Sequence, residues 1–265
     1  MPKVTVIIPA WGNVPFLERA IQSVRNQTYS GVEVLIIAPP IDGPQTLPAA
    51  RKAGLLKATT EWVMFCDADD WIEPTTVDEM MSVAERERAD CVCCGMFRDR
   101  NDGTSILRLF DKVGPSDTYN AVVNKLFKKE LFKDIILDEE VSLGEDLMIS
   151  GQVLAKAKRV SVLNKAFYHY CENTTSITHS QLGRKRVQDL ARVNQILRNV
   201  LVDSKYADFH DRVTRDVLLL WLRYRVFDRK LWRELRGQMR SKIFSDPRHG
   251  LIKKGALTIA SCLFD

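Results

Sequence analysis

No apolar run in this chain reaches the length needed to cross a bilayer as a helix. The opening MPKVTVIIPA lacks the basic region, long apolar core and small-residue cleavage pattern of an export signal. It reads instead as a strand that starts at once, and the expected compartment is cytoplasmic. There is no internal repeat and no low-complexity linker, which sets aside repeat and fibrous architectures. The six cysteines, Cys66, Cys91, Cys93, Cys94, Cys171 and Cys262, do not form the two paired C-x-x-C units of a zinc site. Cys66, Cys91, Cys93 and Cys94 lie in apolar stretches that read as strands, so buried, reduced thiols are expected. No aromatic-interleaved basic motif is present, which argues against nucleic acid as a partner. After the first strand stands PAWGNVPF, which is not a Gly-rich phosphate loop, and this disfavours a nucleotidyltransferase.

What is present is a globular composition, 45% hydrophobic and 28% charged over 265 residues, enough for one large domain or a domain with an appendage. The charge is unevenly spread. Residues 181–265 hold 19 Lys and Arg against 9 Asp and Glu, a net of +10, whereas the preceding 180 residues hold 20 against 25, a net of −5. A basic tail on an acidic body is expected to meet something anionic, and membrane headgroups are the leading candidate. The alternative is that the tail helices pack on the domain and leave their arginines in water.

Strand and helix patterns alternate from the start. KVTVII at 3–8 reads as a strand buried on both faces. A helix follows, with Asn13 as its cap, Pro15 in its first turn, and Phe16, Leu17, Ala20, Ile21 and Val24 at helical spacing. VEVLIIA from Val32 is a second buried strand, and a rigid loop follows through Pro39, Pro40, Asp42, Gly43 and Pro44. A helix over roughly 47–57, the strand EWVMFC, a helix opened by Pro74 and the strand ADCVCCG continue the alternation. Such a pattern predicts parallel pairing with right-handed crossovers, and ligands beyond the carboxyl ends of the strands. Residues 97–120 break into loop. AVVNKLF, a helix-like KKELFKD, a helix entered through Ser142 or Gly144, a strand near Val160–Leu163 and the aromatic AFYHYCENTTSIT follow. Beyond 181 the chain reads as helical and Arg-rich, with Val213, Val217, Leu220, Trp221 and Tyr224 on one face.

One stretch carries chemistry. In WVMFCDADDW an apolar strand runs into Asp67, Asp69 and Asp70. Crowded carboxylates raise one another's proton affinity, so a cation is expected among them. A helix-capping turn before Pro74 is the plainer reading, and it suits Asp70 best.

VTVIIPAW…FLERAIQSVRNQTY, LPAARKAG, FCDADDW and LGEDLMISGQVL, in this order and at these intervals, resemble the family-2 glycosyltransferases. The resemblance covers roughly residues 3–178. It implies the GT-A fold: an α/β unit with a mainly parallel sheet flanked by helices, here carrying a C-terminal helical extension. On this reading residues 1–180 are the catalytic domain, with a donor-binding half to about 95 and an acceptor-side half from 96, and 181–265 are the basic extension.

The resemblance also implies roles. Asp67, Ala68 and Asp69 form the D-x-D element, with Asp69 binding Mn2+ or Mg2+ and Asp67 meeting the ribose or the metal's surroundings. Asp146, of the pair Glu145-Asp146, is the general base, and plain helix-start chemistry is the competing explanation for its position. Pro9, Ala10 and Trp11 contact base and ribose, Asp42 reads the base, and Arg51 lies near base or phosphates. Glu145, His169 and Ser176 lie on the acceptor or diphosphate side, where a structural His169 is the alternative. Ser23, Gln27 and Gly54 also match, although packing and turn formation would explain them. The departures are Trp11-Gly12 in place of a Tyr-Asn pair, two extra residues before Asp42-Gly43, Lys52 in place of an Asn, and Cys171 in place of a frequent Arg. Without a Q-x-x-R-W element or membrane helices, single-sugar transfer is implied, from a nucleotide-sugar, UDP-linked by family habit, to a glycan or lipid-linked glycan. A binding module that kept the fold and lost the chemistry is the alternative.

Overall fold

The computed structural model describes residues 1, 3–12, 14–111, 121–173 and 184–201. The chain divides into two compact units, Met1–His179 and Ser180–Asp265.

The first unit is built on one eight-stranded sheet. Strands β1 (Val4–Pro9), β2 (Val32–Ile37) and β3 (Trp62–Phe65) pair in parallel, with β1 in the middle and helices α1 (Leu17–Arg25) and α2 (Leu47–Lys57) as the crossovers. The short β4 (Trp71–Ile72) leads into α3 (Thr76–Glu87) and β5 (Cys91–Asp99), then β6 (Ser105–Arg108), β7 (Lys125–Lys128), a 3-10 turn at Lys129–Phe132, α4 (Glu145–Lys156) and β8 (Val160–Cys171). Across the sheet the order is β2-β1-β3-β7-β5-β8-β4, with β6 beside the second half of β5.

Parallel pairing therefore holds for β2-β1-β3 and for β5-β8, while β7 enters antiparallel between β3 and β5. This makes the sheet mixed at its centre. β2 is an edge strand, half-exposed along most of its length, and not the doubly buried strand its apolar text implies. β8 runs on from Val160 through the aromatic segment to Cys171, with β4 pairing antiparallel to its end.

Local chemistry explains the boundaries. α2 starts where Thr46 accepts a hydrogen bond from the Ala49 N–H, with Pro48 tolerated in the first turn. α1 begins only at Leu17, so Pro15 precedes the helix; Asn13 lies outside the described residues. α3 begins at Thr76 and not at Pro74. Ser23 and Gln27 do more than pack. The Ile72 N–H donates to the Ser23 hydroxyl, and Gln27 donates to the Glu73 carbonyl while accepting from the Val77 N–H, so α1 pins the chain just after the acids. Cys66, Cys91, Cys93 and Cys94 are buried free thiols as expected, Cys171 is half-buried, and Cys262 lies outside the described residues.

Of the second unit, α5 (Arg184–Leu201) is described. It buries Val187, Ala191, Val193, Leu197 and Leu201, and Lys185 pairs with buried Asp189. No described helix is long and apolar enough to cross a membrane. The face through Val213, Val217, Leu220, Trp221 and Tyr224 lies outside the described residues.

Gly54 shows how tightly α2 sits on β1: a Cβ there would stand 2.5 Å from Ile7 Cγ2 in the fully buried strand. Gly54→Val should lower the stability of the first unit by about 2–3 kcal/mol, several degrees in a thermal melt. An unchanged melting temperature would show that α2 is free to move off the sheet.

Candidate active site

Three carboxylates from two distant stretches of the sequence converge on one guanidinium. Arg51, on α2, is 1% exposed, yet it donates from Nη2 to Asp67 at 3.0 Å and from Nη1 to Asp146 at 2.6 Å and Glu145 at 3.5 Å. Its guanidinium also lies over the Phe65 ring, 5.7 Å from the centroid. Asp67 comes from the end of β3. Glu145 and Asp146 open α4, where Gly144 supplies the left-handed turn (φ 87°) that swings the chain into the helix. The Arg51 salt bridge therefore holds the two acidic motifs together.

Burial alone would lower the affinity of Arg51 for its proton, but Asp146, Asp67 and Glu145 outweigh it and keep the guanidinium charged. Burial likewise pushes Asp67 above the usual carboxylate range despite Arg51. Burial and the neighbouring Asp146 lift Glu145 to about 7, against the pull of Arg51. Asp146 is the more open of the helix pair, 29% exposed against 14% for Glu145. Its second oxygen accepts a long bond, 3.3 Å, from the Val122 N–H. The turn bearing Val122 is secured by the fully buried Lys125, which donates to the Ala121 carbonyl at 2.6 Å and to Asn124 at 2.8 Å.

The knot of acids after β3 separates into three environments. Asp67 is paired with Arg51. Asp70 is buried; it accepts from the Tyr168 hydroxyl at 2.6 Å and the Cys171 N–H at 2.8 Å, and burial raises it well above the usual range. It does not cap α3, so the capping reading is corrected: Asp70 bonds to β8. Asp69 stays half-exposed, with one contact from Asn173 Nδ2 at 3.3 Å to one of its oxygens. Tyr168 also accepts from the Asp67 N–H at 3.1 Å, and Arg19 donates to the Asp69 carbonyl at 2.6 Å. Ala68 is buried inside this turn, which the Asp70 N–H closes onto the Asp67 carbonyl.

The remaining expected site residues divide. Pro9 ends β1, the Ala10 N–H donates to the Ile37 carbonyl, and Trp11 is half-exposed, so all three stand at the carboxyl edge of the sheet. Asp42 is exposed in the turn that follows β2. His169 is corrected to a structural role. Its ring lies between Trp71 and Phe97, at 3.6 and 4.5 Å, and both nitrogens are taken, Nδ1 by Asp99 at 2.8 Å and Nε2 by Glu73 at 3.0 Å. No nitrogen is left for a metal or phosphate. Ser176 lies outside the described residues. Sequence reasoning passed over Tyr168, Val122, Lys125 and Arg19. Tyr168 was visible only as one aromatic in a run, and a backbone N–H carries no sequence signal.

The mixed sheet, with an acidic turn at its carboxyl edge facing an acidic helix start, is consistent with a GT-A α/β fold. The family model for glycosyl transferase family 2 matches residues 42–136. The uncharacterized glycosyltransferase EpsJ of Bacillus subtilis is 24% identical, with 67% of this chain and 63% of that protein covered. The crystal structure of Staphylococcus aureus TarS 1–349 superposes with a TM-score of 0.64 at 17% identity, covering 97% of this chain and 78% of that one. The same TarS region in complex with UDP-GlcNAc gives a TM-score of 0.63 at 16% identity, covering 91% and 78%. Over residues 42–136 the chain is thus similar to glycosyl transferase family 2, and it shares its fold with TarS. It spans a little under two-thirds of the length of EpsJ, 63%, and 30% of GlyA of Streptococcus pneumoniae.

Arg51→Met leaves three carboxylates facing one another without their cation. The expected loss is about 3–5 kcal/mol at neutral pH. Without Arg51 the folded state holds protons more tightly than the unfolded chain, so stability falls as pH rises above about 4 and the deficit shrinks on acidification. Melts of both proteins from pH 4 to 8 test this; a deficit that grows toward low pH would contradict the bridge.

Proposed function

We propose that the protein is a metal-dependent, inverting glycosyltransferase that moves one sugar from a UDP-sugar to a hydroxyl of a glycan or lipid-linked glycan. The observation that carries this reading is the Arg51 bridge, which sets the open carboxylate of Asp146 beside the acidic turn at the carboxyl end of β3. The complex of TarS with UDP-GlcNAc supports a UDP-sugar as donor.

In the reaction the acceptor oxygen attacks the anomeric carbon. The bond from that carbon to the phosphate oxygen breaks, and its electron pair leaves with the nucleoside diphosphate. The acceptor's proton passes to Asp146. That carboxylate has one oxygen engaged by Arg51 and the other held only by a long N–H contact, so a lone pair remains to take the proton. Glu145, which holds its proton up to about 7, lies deeper and serves to position Arg51.

Among the described residues no group of three or more His, Cys, Asp or Glu could hold a metal by itself. Mg2+ is commonly held by one or two carboxylates together with substrate phosphates, and Asp69 fits that mode because its carboxylate is the least committed of the three. Mn2+ or Mg2+ held there would supply Lewis-acid stabilisation of the departing diphosphate. Pro9, Ala10, Trp11 and Asp42, at the ends of β1 and β2, would hold the nucleoside, with Asp67 toward the ribose. The net +10 of residues 181–265 supports a peripheral site of action at the inner face of an anionic membrane, where a lipid-linked acceptor would lie.

Thermal melts with UDP, GDP, CMP and dTDP, each with and without Mn2+, test the donor. Saturating UDP should raise the melting temperature by roughly 5–10 °C, and only with Mn2+. Asp146→Asn should keep that shift and lose transfer by at least about a hundredfold. Unchanged turnover would remove Asp146 as the base, and no shift with any nucleotide would favour a binding module that has lost the chemistry.

A further inference from the structure

We propose that Arg19, on the exposed face of α1, is a ligand for the diphosphate of the donor; this rests on the nucleotide-sugar reading above. Of the five acids at the turn and the start of α4, Asp70 is buried with its proton held tightly, Asp67 and Glu145 are paired with Arg51, and the more open carboxylates are Asp69 and Asp146. A diphosphate entering there meets charge of its own sign, and one divalent cation offsets only part of it. Arg51 cannot supply the balance, because both its terminal nitrogens already serve Asp67, Glu145 and Asp146 and the side chain is buried.

Arg19 is differently placed. It is exposed, and its Nη2 alone makes both its hydrogen bonds, to the Asp69 carbonyl at 2.6 Å and to Cys171 Sγ at 3.2 Å. Its Nε and Nη1 have no hydrogen-bond partner among the described residues. The guanidinium is braced by the half-exposed ring of Phe16, 5.1 Å from the centroid. Burial pushes the Cys171 thiol up to about 11 against the pull of Arg19, so the group Arg19 hydrogen-bonds there is a neutral thiol; the Asp99 carboxylate feels Arg19 only through space, its own bonds going to Ser105 and His169. The side chain is thus anchored to the backbone of the residue assigned to the metal, with two N–H-bearing nitrogens uncommitted. A planar fork of this kind suits phosphate oxygens better than a lysine does.

The test is calorimetric titration of the whole chain with UDP and with UMP in Mn2+-containing buffer, for the unchanged protein, Arg19→Gln and Arg19→Lys. A charge-assisted contact to the diphosphate makes Arg19→Gln bind UDP about 10- to 100-fold more weakly, with UMP changed less than about threefold and Arg19→Lys in between. UDP binding unaltered in Arg19→Gln, or UDP and UMP weakened equally, overturns the assignment and leaves Arg19 as a clamp on the turn. If the unchanged protein binds neither nucleotide, the donor reading itself fails and the assignment with it. A melt of each variant within a few degrees of the unchanged protein confirms that the comparison is between folded chains.

Discussion

A single buried guanidinium holds the two acidic motifs together. Arg51 sits on the helix after β2, and its partners lie 16 residues onward at the end of β3 and 94 to 95 residues onward at the start of α4. Burying one carboxylate or one guanidinium by itself would be prohibitive. Burying the cation against three shared acids is tolerable because each desolvated charge has a partner. The arrangement is therefore all-or-none, since removing the cation strands the acids. It also couples the parallel β2-β1-β3 portion of the sheet to α4, so stability and site geometry depend on the same bond.

The cluster after β3 is divided by its surroundings. Three acids in four residues look equivalent in the sequence and are not equivalent in space. One faces Arg51, one is buried against the end of β8 by Tyr168 and the Cys171 N–H, and one stays half-exposed. The bonds of the first two fix the turn. Only the third is left with a carboxylate ready for an incoming cation, and the proposed chemistry is assigned to it. His169 illustrates the same rule from the other side: a histidine with both nitrogens already bound to carboxylates has nothing left to offer a ligand.

Much of the fold was legible because local signals agreed with one another. Thr46, Pro48 and a run of helix formers mark α2, and the apolar text of β1 and β3 marks the buried strands. Resemblance placed the acidic motifs in register. The antiparallel entry of β7 was not legible, because four residues, KLFK, carry no usable period. Nor was the extension of β8 through AFYHYC, whose aromatics suit strand and loop alike. Asp70 was misread as a cap because its partner, Tyr168, is 98 residues away. The roles of Val122 and Lys125 depend on a backbone N–H and on burial, neither of which composition records.

Mn2+ binding reads out the division of labour among the three acids. Free Mn2+ measured by electron paramagnetic resonance, with UDP present, would compare the unchanged protein with Asp69→Asn and Asp70→Asn. Asp69→Asn is expected to weaken Mn2+ binding by at least about tenfold, while Asp70→Asn, nearly isosteric, with its amide oxygen accepting from the Cys171 N–H and its NH2 donating to the Tyr168 oxygen, binds as before. Retention of Mn2+ by Asp69→Asn together with its loss from Asp70→Asn would place the cation on the wrong carboxylate and contradict the account.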